Sequence, residues 1–230
     1  AGPGSLFASA SSLPMQAPPF DRIQSADFRP AFEEALIRHQ SEIRAIAENP
    51  APPTFENTLA AMEASGRMLD RVKRVFSALV RANTDAVLQA THAELAPRLA
   101  AHADQIYLDG ALFGRVETIF NDREKLGLGP EALQLTTVVH ERFIRAGAGL
   151  SAADKRKLGA INEHLATLSA TFERMSLAAA TENALVAHDE PTLRGLSAEA
   201  LDAAARLAAS RGMQDRWVIP LQSPTQQPAL

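Results

Sequence analysis

The sequence predicts a mainly α fold, an irregular multi-helix bundle with a short two-strand element near the C-terminus. Ala and Leu recur throughout while aromatic residues are sparse, with 10 Phe, 1 Trp and 1 Tyr in 230 residues. That balance suits close-packed helices better than a sandwich or barrel. Apolar residues repeat at spacings of three and four over most of the chain, the pattern of one buried helix face. Stops containing proline or glycine separate these runs.

Small residues and prolines dominate up to Pro19, which reads as an extended arm over residues 1–24. Phe28, Phe32, Ala35, Leu36, His39, Ile43 and Ile46 then mark a first helix from about Ala26 to Glu48. Asn49-Pro50-Ala51-Pro52-Pro53 forbids its continuation, because proline lacks the amide hydrogen and pushes its predecessor out of the α region. Thr54 can cap a second helix carrying Phe55, Leu59, Met62, Leu69, Val72, Val75, Phe76 and Leu79, ending near Asn83 and on the order of 40 Å long. A third run, Thr84 to Leu108, contains Pro97, which should kink or divide it. A fourth spans Ala111 to Leu126 before Gly127-Leu128-Gly129-Pro130, and a fifth about Glu131 to Ala146. A sixth starts at Ser151 with a capping-box-like spacing and runs to about Asn183, with Leu158, Ile161, Leu165, Leu168, Phe172, Met175 and Leu177 on its expected buried side.

Residues 25–183 therefore read as the helical bundle, and 184–230 as a strand-helix-strand segment. In that segment Ala184-Leu185-Val186-Ala187 and Trp217-Val218-Ile219-Pro220-Leu221 are the strand candidates, and Ser197 caps a helix ending at Arg211 before Gly212. Pro228 suits the first turn of a further helix, so the expectation is a chain that continues beyond Leu230. The absence of an initiating Met leads to the expectation that something was removed before Ala1. No period of 20 to 50 residues repeats, which argues against a regular solenoid.

A content of 46% hydrophobic and 22% charged residues is that of a chain able to bury a sizeable core. The net charge of −4 and the lack of a basic stripe argue against nucleic acid as partner. No apolar run approaches the roughly 20 residues that span a bilayer, so no membrane partner is expected. Without Cys there is no disulfide, thiolate nucleophile or sulfur-ligated metal. Cytoplasm is the expected compartment and periplasm the alternative.

The search for chemistry finds little. A helical zinc peptidase needs two histidines four residues apart, with a glutamate beside the first to activate water. His140-Glu141-Arg142-Phe143-Ile144 supplies the first pair but has Ile144 where the second histidine belongs, so it reads as an ordinary helix position. His92 and His102 lie ten residues apart with Pro97 between them, and His39, His164 and His188 are isolated in sequence. Each reads as a surface or hydrogen-bonded histidine rather than a ligand. Glu33-Glu34 diverge by about 100° on a helix and read as a solvated face, and Asp154-Lys155-Arg156-Lys157 as an exposed first turn. Neither a phosphate-cradling glycine loop nor a G-x-S-x-G elbow is present. No catalytic and no metal-ligating residue is assigned in the chain, and its substrate-binding residues are unknown.

Several stretches nevertheless occur in a telling order: APPFDRI at 17–23, RPAFEEAL at 29–36, EIRAIAENP at 42–50 and TFENTLAAMEASGRMLDRV at 54–72. They are followed by IYLDGALFGRV at 106–116, REKLGLGPE at 123–131, HERFIRAGAGL at 140–150 and RWVIPLQSPTQQPAL at 216–230. In this order the chain resembles the N-terminal region of bacterial peptidyl-dipeptidases, also called dipeptidyl carboxypeptidases, in the thimet oligopeptidase-like family of zinc metallopeptidases. The resemblance implies an almost wholly helical enzyme split by a deep channel, with an HExxH helix and a later glutamate holding zinc, that removes dipeptides from the C-termini of short peptides. It implies that this segment is a noncatalytic wall of the channel, that its partners are unfolded peptides and the catalytic C-terminal part of the same protein, and that the isolated fragment needs no cofactor and is inactive. Self-association of the fragment through a face left uncovered is a further expectation. The rival is a free-standing helical module that binds peptides or proteins in a groove.

Overall fold

The computed structural model describes residues 5–220. Contacts cluster into two units, residues 1–170 and 171–230.

The first unit is built on helix α2, Phe28–Ala47, entered through a 3-10 turn at Ser25–Asp27 in which Gln24 and Asp27 form a reciprocal capping box. Before it lie a short helix α1, Ser5–Ala8, and a 3-10 turn at Pro14–Gln16. Phe7 of α1 packs on Phe28 with ring centroids 5.5 Å apart, and the Arg71 guanidinium donates to the carbonyls of Phe7 and Ala8 at 2.9 and 2.8 Å. The sequence-derived arm thus carries a helical turn tied down by an aromatic contact and a two-armed cation.

The run that reads as one long second helix is three pieces, which corrects the expectation of a continuous rod. Thr54 caps a π-helical turn at Phe55–Ala60, which passes into α3, Ala61–Ala64. The chain then turns at Ser65-Gly66 before α4, Arg67–Ala82. Gly66 has φ +68, and a Cβ there would come within 3.0 Å of the His39 ring, so both backbone conformation and space require glycine. A helical periodicity passes over such a break unnoticed, because Met62 and Leu69 still fall on the buried side of separate pieces.

Helix α5, Ala86–Tyr107, is capped by Asp85 and stays one element although Pro97 lies inside it. The proline removes one intrahelical hydrogen bond, but Leu95 before it and Ile106 after it are both buried, and this packing keeps the two halves in one continuous helix. Helices α6, Gly110–Asp122, and α7, Pro130–Arg145, follow with Asp109 as a cap and Pro130 as the first residue of α7, and pack on each other.

Two apolar cores fill the unit. One joins Phe28, Phe32, Val72, Phe76, Leu88 and Leu95 from α2, α4 and α5. The other joins Ile43, Ile46, Leu59, Leu112, Val116, Ile119 and Phe143 from α2, the π turn, α6 and α7. Both draw on α2, its N-terminal half feeding the first and its C-terminal half the second.

Helix α8, Ala152–Glu182, starts with the Ser151–Asp154 cap that the sequence indicates. Its apolar stripe does not face inward. Ile161, Leu165, Leu168, Phe172 and Met175 are between 52% and 70% exposed, which corrects their expected burial. What docks on the first unit is a different line of small and polar residues: Lys155 donates to the Leu108 carbonyl at 2.9 Å, Asn162 donates to Asp104 at 2.7 Å, and Ala170 is buried. Small residues let the helix approach closely, so the face that docks is the one that fits rather than the more apolar one.

In the second unit β1, Leu185–Ala187, pairs antiparallel with β2, Trp217–Ile219, in the register Leu185↔Ile219, Val186↔Val218 and Ala187↔Trp217. Helix α9, Ala198–Ser210, capped by Ser197, packs on β2 over Ala187, Leu193, Ala204 and Ile219. Leu221 and Pro228, assigned above to a strand and to a helix start, lie outside the described residues. No helix among the described residues is long and apolar enough to cross a membrane.

One buried cation holds the proline-rich connection between α2 and the π turn. Arg115 of α6 is 8% exposed and donates to the carbonyls of Asn49 and Ala51 at 2.8 and 3.1 Å, to Asn57 Oδ1 at 2.9 Å and to Thr58 Oγ1 at 3.2 Å. Proline cannot donate, so this loop offers acceptors, and a guanidinium fork supplies the donors. Arg115→Met is expected to destabilise the fold by on the order of 3 kcal/mol, because it removes four charge-assisted hydrogen bonds gathered on one buried guanidinium, and Arg115→Lys is expected to recover less than half of that. Urea unfolding of the three proteins checks both values.

Candidate functional site

The joint between the two cores is polar. His39 of α2 falls after Phe28, Phe32 and Ala35, which feed the first core, and before Ile43 and Ile46, which feed the second. His102 occupies the matching place on α5, between Leu95 and Ile106. The two imidazoles meet with ring centroids 4.9 Å apart, and His102 Nε2 lies 2.9 Å from His39 Nδ1. His39 Nε2 lies 3.2 Å from Ser65 Oγ, and the Ser65 hydroxyl donates to the Met62 carbonyl at 2.7 Å.

This geometry assigns the protons. The single hydroxyl hydrogen of Ser65 is committed to Met62, so Ser65 Oγ accepts from His39, which places the His39 proton on Nε2. His39 Nδ1 is then an acceptor, and His102 donates to it through Nε2–H. Each donor points the same way along the line His102, His39, Ser65, Met62. Beside the line, the Gly66 amide donates to Glu42 Oε2 at 2.7 Å, which fixes the turn against α2.

Burial is the main cause that lowers the pKa of His39, with Glu42 and Asp70 opposing and Lys73 adding to it. Burial likewise lowers His102, to about 4, with further lowering by His39 and Lys73. Both rings are therefore neutral near pH 7, as the one-way line requires.

The pair stands at the wall of a cavity of about 330 Å³ that is also lined by Glu63, Asp70, Lys73, Tyr107 and Arg142. His102 borders a second, more open cavity of about 540 Å³ between α2 and α5, with Leu36, Ile37, Arg44 and Arg98 on its walls. The arrangement does not make a serine nucleophile. His39 presents N–H rather than a lone pair to Ser65, whose own proton goes to a main-chain carbonyl, so no base is in place to remove it. Nor does it fit zinc, since the facing nitrogens of His39 and His102 bond each other and no group of three or more His, Asp or Glu is placed to hold a metal among the described residues.

The other sequence candidates remain apart. His140 stacks on Phe120 at 3.8 Å with the rings 4° from parallel, and Arg123 covers the Phe120 ring at 4.0 Å. It is thus part of the α6–α7 contact, while Glu141 pairs with Arg145 at 3.0 Å. His92 lies 6.2 Å from the Phe76 ring, His164 is exposed, and the His188 carbonyl accepts from Arg216 at 3.3 Å. Glu33 faces Arg98 across 3.7 Å, and Asp154 pairs with Lys157 at 3.1 Å. Sequence reasoning missed the His39–His102 pair because 63 positions separate its members. Its one signal is that His39 keeps the apolar spacing of α2.

Comparison with known proteins identifies the relatives. The chain is 45% identical over 220 residues to a dipeptidyl carboxypeptidase of Salmonella typhimurium, a match covering 96% of this chain and 32% of that protein. It is 44% identical over 224 residues to a dipeptidyl carboxypeptidase of Escherichia coli, covering 97% of this chain and 33% of that protein. The chain is homologous to the N-terminal third of the dipeptidyl carboxypeptidases. It spans about a third of the length of the curated relatives it matches. No family model matches it. In this chain the polar joint lies between two apolar cores, and His102 borders a cavity of about 330 Å³ and another of about 540 Å³.

The direction of the histidine shifts sets a pH dependence. The unfolded chain takes up protons near the ordinary histidine pKa of 6.5, whereas in the fold His102 resists protonation until about 4. The stabilisation is complete above about 6.5 and is lost as pH falls through about 4. The melting temperature is expected to drop over that interval. His102→Gln, whose amide still donates to His39 Nδ1, is expected to remove part of the drop while changing neutral-pH stability by about 1 kcal/mol or less. Thermal melts at a series of pH values check this.

Proposed function

We propose that this chain is the N-terminal, noncatalytic portion of a zinc metallopeptidase that releases C-terminal dipeptides from short peptides, and that it forms one wall of the substrate channel. The observation that carries the reading is the 44–45% identity to dipeptidyl carboxypeptidases along 96–97% of the chain. Identity of that extent along almost every element means that the relatives' first third shares this helical scaffold, and a part of an enzyme that shares its scaffold shares its place in the whole.

The chemistry of the segment supports a wall rather than a catalyst. Its polar line at the joint of the two cores, His102–His39–Ser65, has every assigned proton committed to a neighbour and none aimed at a cavity. The cavity between α2 and α5 sets the apolar Leu36 and exposed Ile37 beside the guanidinium groups of Arg44 and Arg98. Such a surface suits extended peptides, whose side chains are apolar and acidic by turns, and it offers no single deep pocket that would select one residue. Zinc, in this reading, is held by residues of the catalytic C-terminal part, and the localisation proposed for the whole protein is cytoplasmic.

The test compares the full-length product of the gene with the 230-residue chain. The longer product is expected to carry one equivalent of zinc and to release dipeptides from the free C-terminus of a short peptide, while the 230-residue chain does neither. A gene product no longer than this chain, with no dipeptide release, would transfer the assignment to a free-standing helical peptide-binding module. Mass spectrometry of the protein and of the released fragments reads both outcomes.

A further inference from the structure

The exposed stripe of α8 has the spacing of a helix-packing seam. Ile161, Leu165, Leu168, Phe172 and Met175 follow one another at intervals of four, three, four and three, the d position of one heptad and the a and d positions of the next two. A stripe of this narrowness matches one opposing helix, whereas a helix on a broad core needs a wider apolar face. Each of the five side chains is more than half exposed.

The docked edge of α8 accounts for its attachment and leaves the seam unused. Lys155 and Asn162 hold it to Leu108 and Asp104, Gly159 lies beside the Asp104 carboxylate, and Ala170 is buried. At roughly 100° per residue this edge and the seam lie about 130° apart around the helix. The seam is therefore a second face rather than the fringe of the first. A row of five large apolar side chains at heptad spacing on a surface marks an interaction site.

The occupant follows from length. The relatives extend to about three times this chain, their matched part being 32% and 33% of the whole. We infer that the 161–175 seam of α8 receives an apolar helix of the C-terminal two-thirds of the same polypeptide, so that α8 is the structural joint between the wall and the catalytic part. This inference rests on the reading of the chain as the first third of a peptidyl-dipeptidase.

The absence of cysteine from the chain gives a clean probe. Leu165→Cys and Leu168→Cys are placed singly on the seam, and Glu163→Cys, exposed on another side of the same helix, serves as the reference for local opening. Thiol labelling rates are measured in the 230-residue chain and in the full-length product, with the unsubstituted proteins as blanks. All three positions are expected to label readily in the short chain, and the two seam positions at least tenfold more slowly in the full-length product. Equal rates in the two proteins would overturn the inference. So would protection already present in the short chain and growing with its concentration, which would assign the seam to a second copy. Dipeptide release is assayed on the same full-length samples. Selective seam protection without release upholds the seam and overturns the peptidase reading, while release without protection does the reverse.

Discussion

The hydrogen bond between His39 and His102 is the constraint on which the larger unit depends. Helix α2 feeds one apolar core with its first half and another with its second, and α5 runs beside it through both. Between two cores a helix pair must cross a level where neither core fills the space. An apolar residue at that level would border the cavity that separates the cores, and a lone polar one would be buried without a partner. Two imidazoles joined end to end, with a serine and a carbonyl taking the last proton, satisfy that level and fix the register of α2 against α5. Gly66 belongs to the same solution, since only a residue without Cβ lets the turn before α4 lie against the His39 ring.

Polar joints recur wherever apolar packing alone cannot close the fold. Arg115 reaches two carbonyls of a loop that proline leaves short of donors and two side chains of the π turn that follows, and Arg71 holds the carbonyls at the end of α1. These are charged groups that act as fasteners, and their orientation into protein rather than into a cavity is what separates them from catalytic groups. Under the proposed reading as a channel wall, this rigidity would keep the concave faces in place while peptides of different sequence pass, through polar groups whose hydrogens are already committed.

Much of the fold was legible in the sequence, and the failures have specific causes. The limits of α2 and α7 and the start of α6 follow closely from proline and glycine signals, while α6 ends at Asp122, four residues short of the expected Leu126, and Thr54, Ser151 and Ser197 do cap the helices they precede. Those signals are local, and a few residues suffice to set them. The division at Ser65-Gly66 escaped notice because periodicity reports which side of a helix is buried and is blind to a change of axis that keeps the buried side buried. Pro97 failed to divide α5 because the loss of one hydrogen bond is small beside burial on both sides of it. The outward stripe of α8 read as core because composition cannot distinguish a face buried within a unit from one reserved for another surface. The His39–His102 pair is not legible in the sequence, which sets His102 beside His92 and leaves His39 isolated, since 63 positions of chain lie between the two.

The sequence by itself determined the fold class, most helix limits and the kinship with dipeptidyl carboxypeptidases, because capping, chain stops and periodicity act over a few residues and a shared order of segments survives in the residues themselves. Tertiary structure alone decided which histidines meet, where the cations are fastened and which face of α8 is left open. Those outcomes depend on contacts between residues far apart in the chain, as where Gly66, lacking a Cβ, lets the turn before α4 lie against the His39 ring.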